Sequence, residues 1–127
     1  MKFSELDQFT QGYIDALFFT DSGDIEDEIQ DEGFYDFADE TLSHILLDCA
    51  KFQADNAELL ALAYDRVGYE ESSAGHDFWL TRNGHGAGFW DRSPLDADNL
   101  GDKLTKAADL FNEISPYLGD DSKIYLT

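Results

Sequence analysis

Residues 75–92 gather both tryptophans of the chain, two of its three histidines and two of its three arginines. Within this stretch His76 and His85 are candidate bases or metal ligands, Asp77 and Asp91 their candidate partners, and Arg82 and Arg92 candidate holders of an anion. Trp79 and Trp90 could wall a shallow groove for a ring or a peptide. Asn83-Gly84 between two aromatic-rich runs signals a β-hairpin closed by a type I′ turn. In that register Arg82 opposes His85, Leu80 opposes Ala87, Phe78 opposes Phe89 and His76 opposes Asp91. Phe78, Leu80, Ala87 and Phe89 then face the core, with Trp79 opposite Gly88 and Asp77 opposite Trp90 on the other side. A longer loop, 83–86, would instead bring Trp79 opposite Trp90.

The tight register separates His76 from His85 by roughly 20 Å, at ~3.3 Å per residue. A zinc ion needs ligands at about 2 Å, so the two histidines cannot share one, and neither a metal site nor a cofactor is expected. His76 with Asp77 or Asp91 could be a base and its orienting partner, but the bland reading, a pair that ties the hairpin together, is preferred. Glycines 84, 86 and 88 lie inside the hairpin and not between a strand and a helix N-terminus, so they make room beside a Trp more readily than they cradle a phosphate. No catalytic signature names a reaction, and an enzyme is not the leading reading.

Charge carries the larger signal. The chain of 127 residues has 28 acidic side chains against eight basic ones, a net charge of −20. Such a surface is repelled by nucleic acid and by anionic lipid, so direct binding to either is not expected. Disorder is excluded by composition: 43% of residues are hydrophobic, with ten Phe and six Tyr, far too apolar for an unfolded polyanion. The charge is uneven. Residues 1–66 carry 17 acids and three bases, residues 67–127 carry 11 and five, and residues 21–40 hold ten acids with no Lys or Arg. Asp21, Ser22, Gly23 and Asp24 do not make a calcium loop, because Gly and Ile occupy positions that must supply oxygen ligands.

The elements that must position these groups are read from periodicity. Phe3, Leu6, Phe9, Tyr13, Ile14 and Leu17 predict a helix behind Ser4 as N-cap, ending near Thr20. Leu42, Ile45, Leu46, Cys49 and Phe52 predict a second after Asp39, running towards Tyr64 with an interruption at Asn56. Residues 68–75 read as a loop. Leu100, Leu104, Ala107, Ala108, Phe111 and Ile114 predict a third helix that stops near Ser115, before Pro116. Gly119 to Ser122 is a turn and 123–126 a final strand. The expected fold is a single α+β domain over 1–127: three helices on a small antiparallel sheet made from the hairpin 76–91 and the strand 123–126. The lone Cys49 is read as a buried hydrophobe. With no apolar leader and no run long enough to span a bilayer, a soluble, cytoplasmic protein is expected.

Residues 39–125, with Cys49-Ala50-Lys51-Phe52, the 75–92 motif and the Gly119-Asp120-Asp121 ending with Ile124-Tyr125, resemble a widespread group of small, uncharacterised proteins of bacteriophages and mobile elements. The resemblance implies a phage-like origin and brings no assigned activity or site residues. It does not extend to the first 40 residues, where the acidic block stands without family support.

If helical, that block presents one carboxylate per roughly 3 Å, against one phosphate per strand every ~3.4 Å in DNA. The reading is therefore a DNA mimic that occupies the basic groove of a nucleic-acid-binding host protein, a defence protein being one such target. Asp24, Glu26, Asp27, Glu28, Asp31, Glu32, Asp36, Asp39 and Glu40 would carry the contact, with Phe34 and Tyr35 as aromatic anchors. Two other classes stay open: a small ligand-binding or catalytic domain using His76, Asp77, Trp79, Arg82, His85, Trp90, Asp91 and Arg92, and a structural or virion-associated protein. A solvated acidic face suited to salt is the plain alternative to all three.

Overall fold

Phe9, Tyr13, Ile14 and Leu17 share one face of helix α1, Gln8–Asp21, and all four are fully buried. The computed structural model describes residues 3–21 and 37–127. The cap of α1 is Asp7, whose Oδ1 accepts the Thr10 N–H at 2.8 Å. Ser4, the expected cap, lies one step earlier in a 3-10 turn, Phe3–Glu5. Helix α2, Asp39–Asp55, buries Thr41, Ile45, Cys49 and Phe52, and Asp39 and Glu40 in its first turn complement the positive end of its dipole. Asn56 interrupts the run: its backbone N–H and its Nδ2 both donate to the Phe52 carbonyl, at 3.1 and 2.9 Å. Helix α3, Ala57–Tyr64, restarts at once.

The expected hairpin does not form. Residues 76–82 belong to helix α4, Glu71–Arg82, and residues 68–75, read as a loop, contain its start. There Glu70 and Ser73 form a capping box, the Ser73 hydroxyl accepting the Glu70 N–H at 3.2 Å. Asn83-Gly84 is the helix end and not a hairpin turn. Gly84 takes a left-handed φ of +67°, its N–H donates to the Thr81 carbonyl at 3.1 Å, and the His85 N–H reaches back to the Leu80 carbonyl at 3.0 Å. Those two bonds are a Schellman motif, which uses the same left-handed glycine that a type I′ turn would. Residues 89–91 then form a 3-10 turn.

Helix α4 is the centre of the molecule. Residues 77–82 are all buried, so it shows no polar stripe, as expected of a helix covered on most sides. It packs closely on α1 because Gly75 and Gly12 carry no Cβ: one on Gly75 would run into the Phe9 carbonyl, and one on Gly12 into the Ser72 carbonyl. Phe78 stacks on Phe52 with ring centroids 4.2 Å apart and meets Phe111 edge-on at 4.9 Å.

Helix α5, Leu100–Ala108, ends earlier than the predicted Ser115. Its successors give their backbone groups to α4 instead: Arg82 donates through Nε and Nη2 to the Asn112 carbonyl at 3.0 and 2.6 Å, and the Ile114 N–H donates to Asn83 Oδ1 at 2.8 Å. Strand β1, Pro116–Leu118, pairs antiparallel with β2, Ile124–Leu126, placing Tyr117 opposite Tyr125. The C-terminal strand thus exists, but its partner is 116–118. Phe37 bridges Ile124 from the other edge. Among the described residues the architecture is five α-helices and one two-stranded sheet, not three helices on a larger sheet. No described helix is long and apolar enough to cross a membrane.

Candidate functional site

The close crossing of α1 and α4 leaves an open cleft of about 480 Å3 along its outer side. Gly12 and Asp15 line it from α1, Ser72, Ser73 and His76 from α4, and Tyr69, Arg92 and Pro94 from the flanking turns. Its floor is Asp77, 1% exposed. A buried carboxylate is costly unless every lone pair is engaged, and here each oxygen is. Oδ1 accepts Arg92 Nε at 2.9 Å and Nη2 at 2.7 Å, and Oδ2 accepts the Tyr69 hydroxyl at 2.8 Å. Burial, with Asp77 beside it, pushes the Tyr69 phenol well above its ordinary range. The hydrogen bonds to Asp77 hold Arg92 charged.

His76 and Asp15 stand above this floor. Burial lowers the His76 pKa, and the Arg92 charge acts in the same direction, against the opposing pull of Asp77 and Asp15. Burial raises the Asp15 carboxyl, partly offset by His76. Among the described residues neither side chain has a hydrogen-bond or ion-pair partner, so both are open to a ligand. Asp77 cannot orient His76, because its oxygens are taken by Arg92 and Tyr69. Asp91 is exposed and bonds to neither histidine. The base–orienter pair weighed for His76 is therefore absent, and what remains chemically is a neutral imidazole acceptor next to a carboxylate.

Of the eight residues considered for a hairpin site, the structure unites His76, Asp77 and Arg92. Arg82 serves a second cleft, of about 790 Å3, beside α2 and the 107–114 segment. It is buried there, with Nη1 on Asp48 Oδ2 at 2.7 Å and on the Tyr13 hydroxyl at 3.2 Å, and Asp48 also receives His44 Nε2 at 3.1 Å. Trp79 walls no groove: it is fully buried, and its Nε1 donates to Thr20 Oγ1 at 2.8 Å. Trp90 is half-exposed, and His85 lies in the turn after α4. Among the described residues no three His, Cys, Asp or Glu side chains are grouped to hold a metal ion. Asp24, Glu26, Asp27, Glu28, Asp31, Glu32, Phe34, Tyr35 and Asp36 lie outside the described residues, while Asp39 and Glu40 are exposed at the start of α2.

Asp15, Tyr69, Ser72, His44 and Asp48 were missed by sequence reasoning. Only the glycines could have pointed to the cleft, since a Gly inside each of two helical runs marks a close crossing.

Protein-family models, curated proteins and solved structures were compared with the chain, and none matches.

Proposed function

We propose that this chain is an acidic interaction protein that occupies the nucleic-acid-binding surface of a basic partner, as a DNA mimic. The observation that carries the reading is where the arginines go. Arg82 and Arg92 are spent on Asp48 and Asp77. Arg66 is spent on Asp98 at 3.3 Å and on the Pro94 and Ala97 carbonyls. Each of the three arginines is thus turned to internal pairs, and Lys51 is paired with Asp55 at 2.7 Å. Carboxylates on every described helix then face solvent with few cations among them, which creates a long-range negative field able to steer a basic surface.

Within that field the 21–40 block supplies the densest charge, with Asp39 and Glu40 at its edge on α2. Phe34 and Tyr35 would anchor the contact once charge has brought the surfaces together.

The test is capture from a cell lysate at low and high salt, followed by competition with duplex DNA. The expected result is capture of a basic protein that excess DNA displaces. Lysine substitution at Asp24, Asp27, Asp31 and Asp36 should abolish capture while the thermal melt is unchanged. Capture that survives both high salt and the quadruple substitution overturns the reading.

A further inference from the structure

We propose that the cleft between α1 and α4 receives the guanidinium of an arginine side chain of the basic partner, with Asp15 as its counter-charge. This rests on the reading of the chain as a binder of basic proteins and names one recognition point within it.

The local charges select a cation. Among the described residues Arg92 is the one positive group lining the cleft, and Asp77 cancels it through two hydrogen bonds to a single oxygen. What an incoming group meets is the unpaired carboxylate of Asp15, the imidazole of His76 and the hydroxyl of Ser72, all on the cleft wall. These offer acceptors to a donor-rich ligand, whereas an anion would meet Asp15 with no free cation to offset it. Among the described residues a metal ion would find only Asp15 and His76 as side-chain ligands of the usual kinds, since both Asp77 oxygens already accept from Arg92 and Tyr69.

The shape then favours arginine over lysine. Phe19 lies one helical turn beyond Asp15 and is 80% exposed. Its centroid is 6.2 Å from that of His76. A planar guanidinium can stack on such a ring while its edge engages a carboxylate in two parallel hydrogen bonds. An ammonium offers neither the plane nor the fork. At about 480 Å3 the open cleft has room for one long side chain.

The probes are hexa-arginine and hexa-lysine peptides, titrated calorimetrically against the full chain, with the His76 ring resonances followed by NMR. Hexa-arginine should bind more tightly and shift the His76 resonances. Asp15→Asn should weaken hexa-arginine by about tenfold and hexa-lysine by at most about twofold, because the latter senses the diffuse field of many carboxylates. Phe19→Ala should narrow the preference for arginine. Among the described residues Asp15 has no hydrogen-bond or ion-pair partner, so Asp15→Asn should not lower the melting temperature.

If both peptides bind equally and Asp15→Asn changes neither, the cleft is not the recognition point, while the acidic-surface reading stands. If neither peptide binds wild type at low salt, that reading falls and the cleft inference with it.

Discussion

Arg92 places both Nε and Nη2 on the same oxygen of Asp77, at 2.9 and 2.7 Å, although the two residues were expected to lie on opposite arms of a hairpin. The pair ties the 3-10 turn after α4 back to the middle of that helix and leaves the second Asp77 oxygen to Tyr69. It is a structural lock beneath the cleft.

Breaking that lock from either side should have unequal results. Arg92→Ala strands a buried carboxylate and is expected to cost about 3 kcal/mol in denaturant unfolding. Asp77→Asn keeps an acceptor for Tyr69 and leaves a partly exposed arginine that water can solvate, so its cost should be smaller. Equal losses would mean that stranding the Asp77 carboxylate costs no more than removing its charge.

Helix crossing depends on missing Cβ atoms. Gly75→Ala would drive a methyl group into the Phe9 carbonyl and is expected to lose roughly 2–3 kcal/mol. Gly86→Ala meets open space and should lie within about 0.5 kcal/mol of wild type. Urea midpoints of the two variants check the contrast.

The end of α4 is also directly testable. Gly84→Ala forces a Cβ into the left-handed region and should cost about 1 kcal/mol. Amide exchange should find the Gly84 and His85 N–H groups protected by Thr81 and Leu80, with sequential helical contacts through residues 71–82. Cross-strand contacts between Phe78 and Phe89 backbones, with no such helical series, would restore the hairpin.

His76 should make stability fall on mild acidification. Its folded-state pKa lies below the ordinary 6.5 because of burial and Arg92, despite Asp77 and Asp15. In the interval between the two values the unfolded chain binds more protons, so stability rises with pH there and is complete above about pH 7.5. The melting temperature of wild type minus that of His76→Gln, followed from pH 8 to 5, should therefore fall as the pH falls. Asp7 acts lower on the scale. Although burial pushes its carboxyl up, the bonds from Thr10 and Gln53 hold it below 3.8, and its contribution is lost as the pH falls through that region.

Cys49 should be inert in the folded protein. It is fully buried, and burial pushes its thiol far above the ordinary range. Ellman's reagent is expected to modify it only after denaturation; rapid labelling of the native chain would contradict the packing of α2.

Local chemistry alone was enough for several elements. Helix α1 shows its apolar face because its other face meets water, and the same holds for α2. Asn56 breaks the second run through its own side chain, and residues 124–126 form a strand in a stretch too short and β-rich to be helical. The surplus of carboxylates is equally a property of composition. The rest was decided by tertiary contacts. Helix α4 lies buried on most sides, so the alternation of apolar and polar residues that reveals a surface helix is absent, and its Ser- and Gly-rich first turn reads as a loop. Asn83-Gly84 supplies a left-handed residue that suits a hairpin and a Schellman cap alike, and only the packing of α4 against α1 and α2 selects the cap. In the same way the helical run predicted to Ser115 is cut short where Arg82 takes the Asn112 carbonyl and Asn83 the Ile114 N–H, pairings between residues some thirty positions apart that no local pattern records. The cleft inherits this dependence: Asp15 and His76 meet only because two glycines let their helices touch.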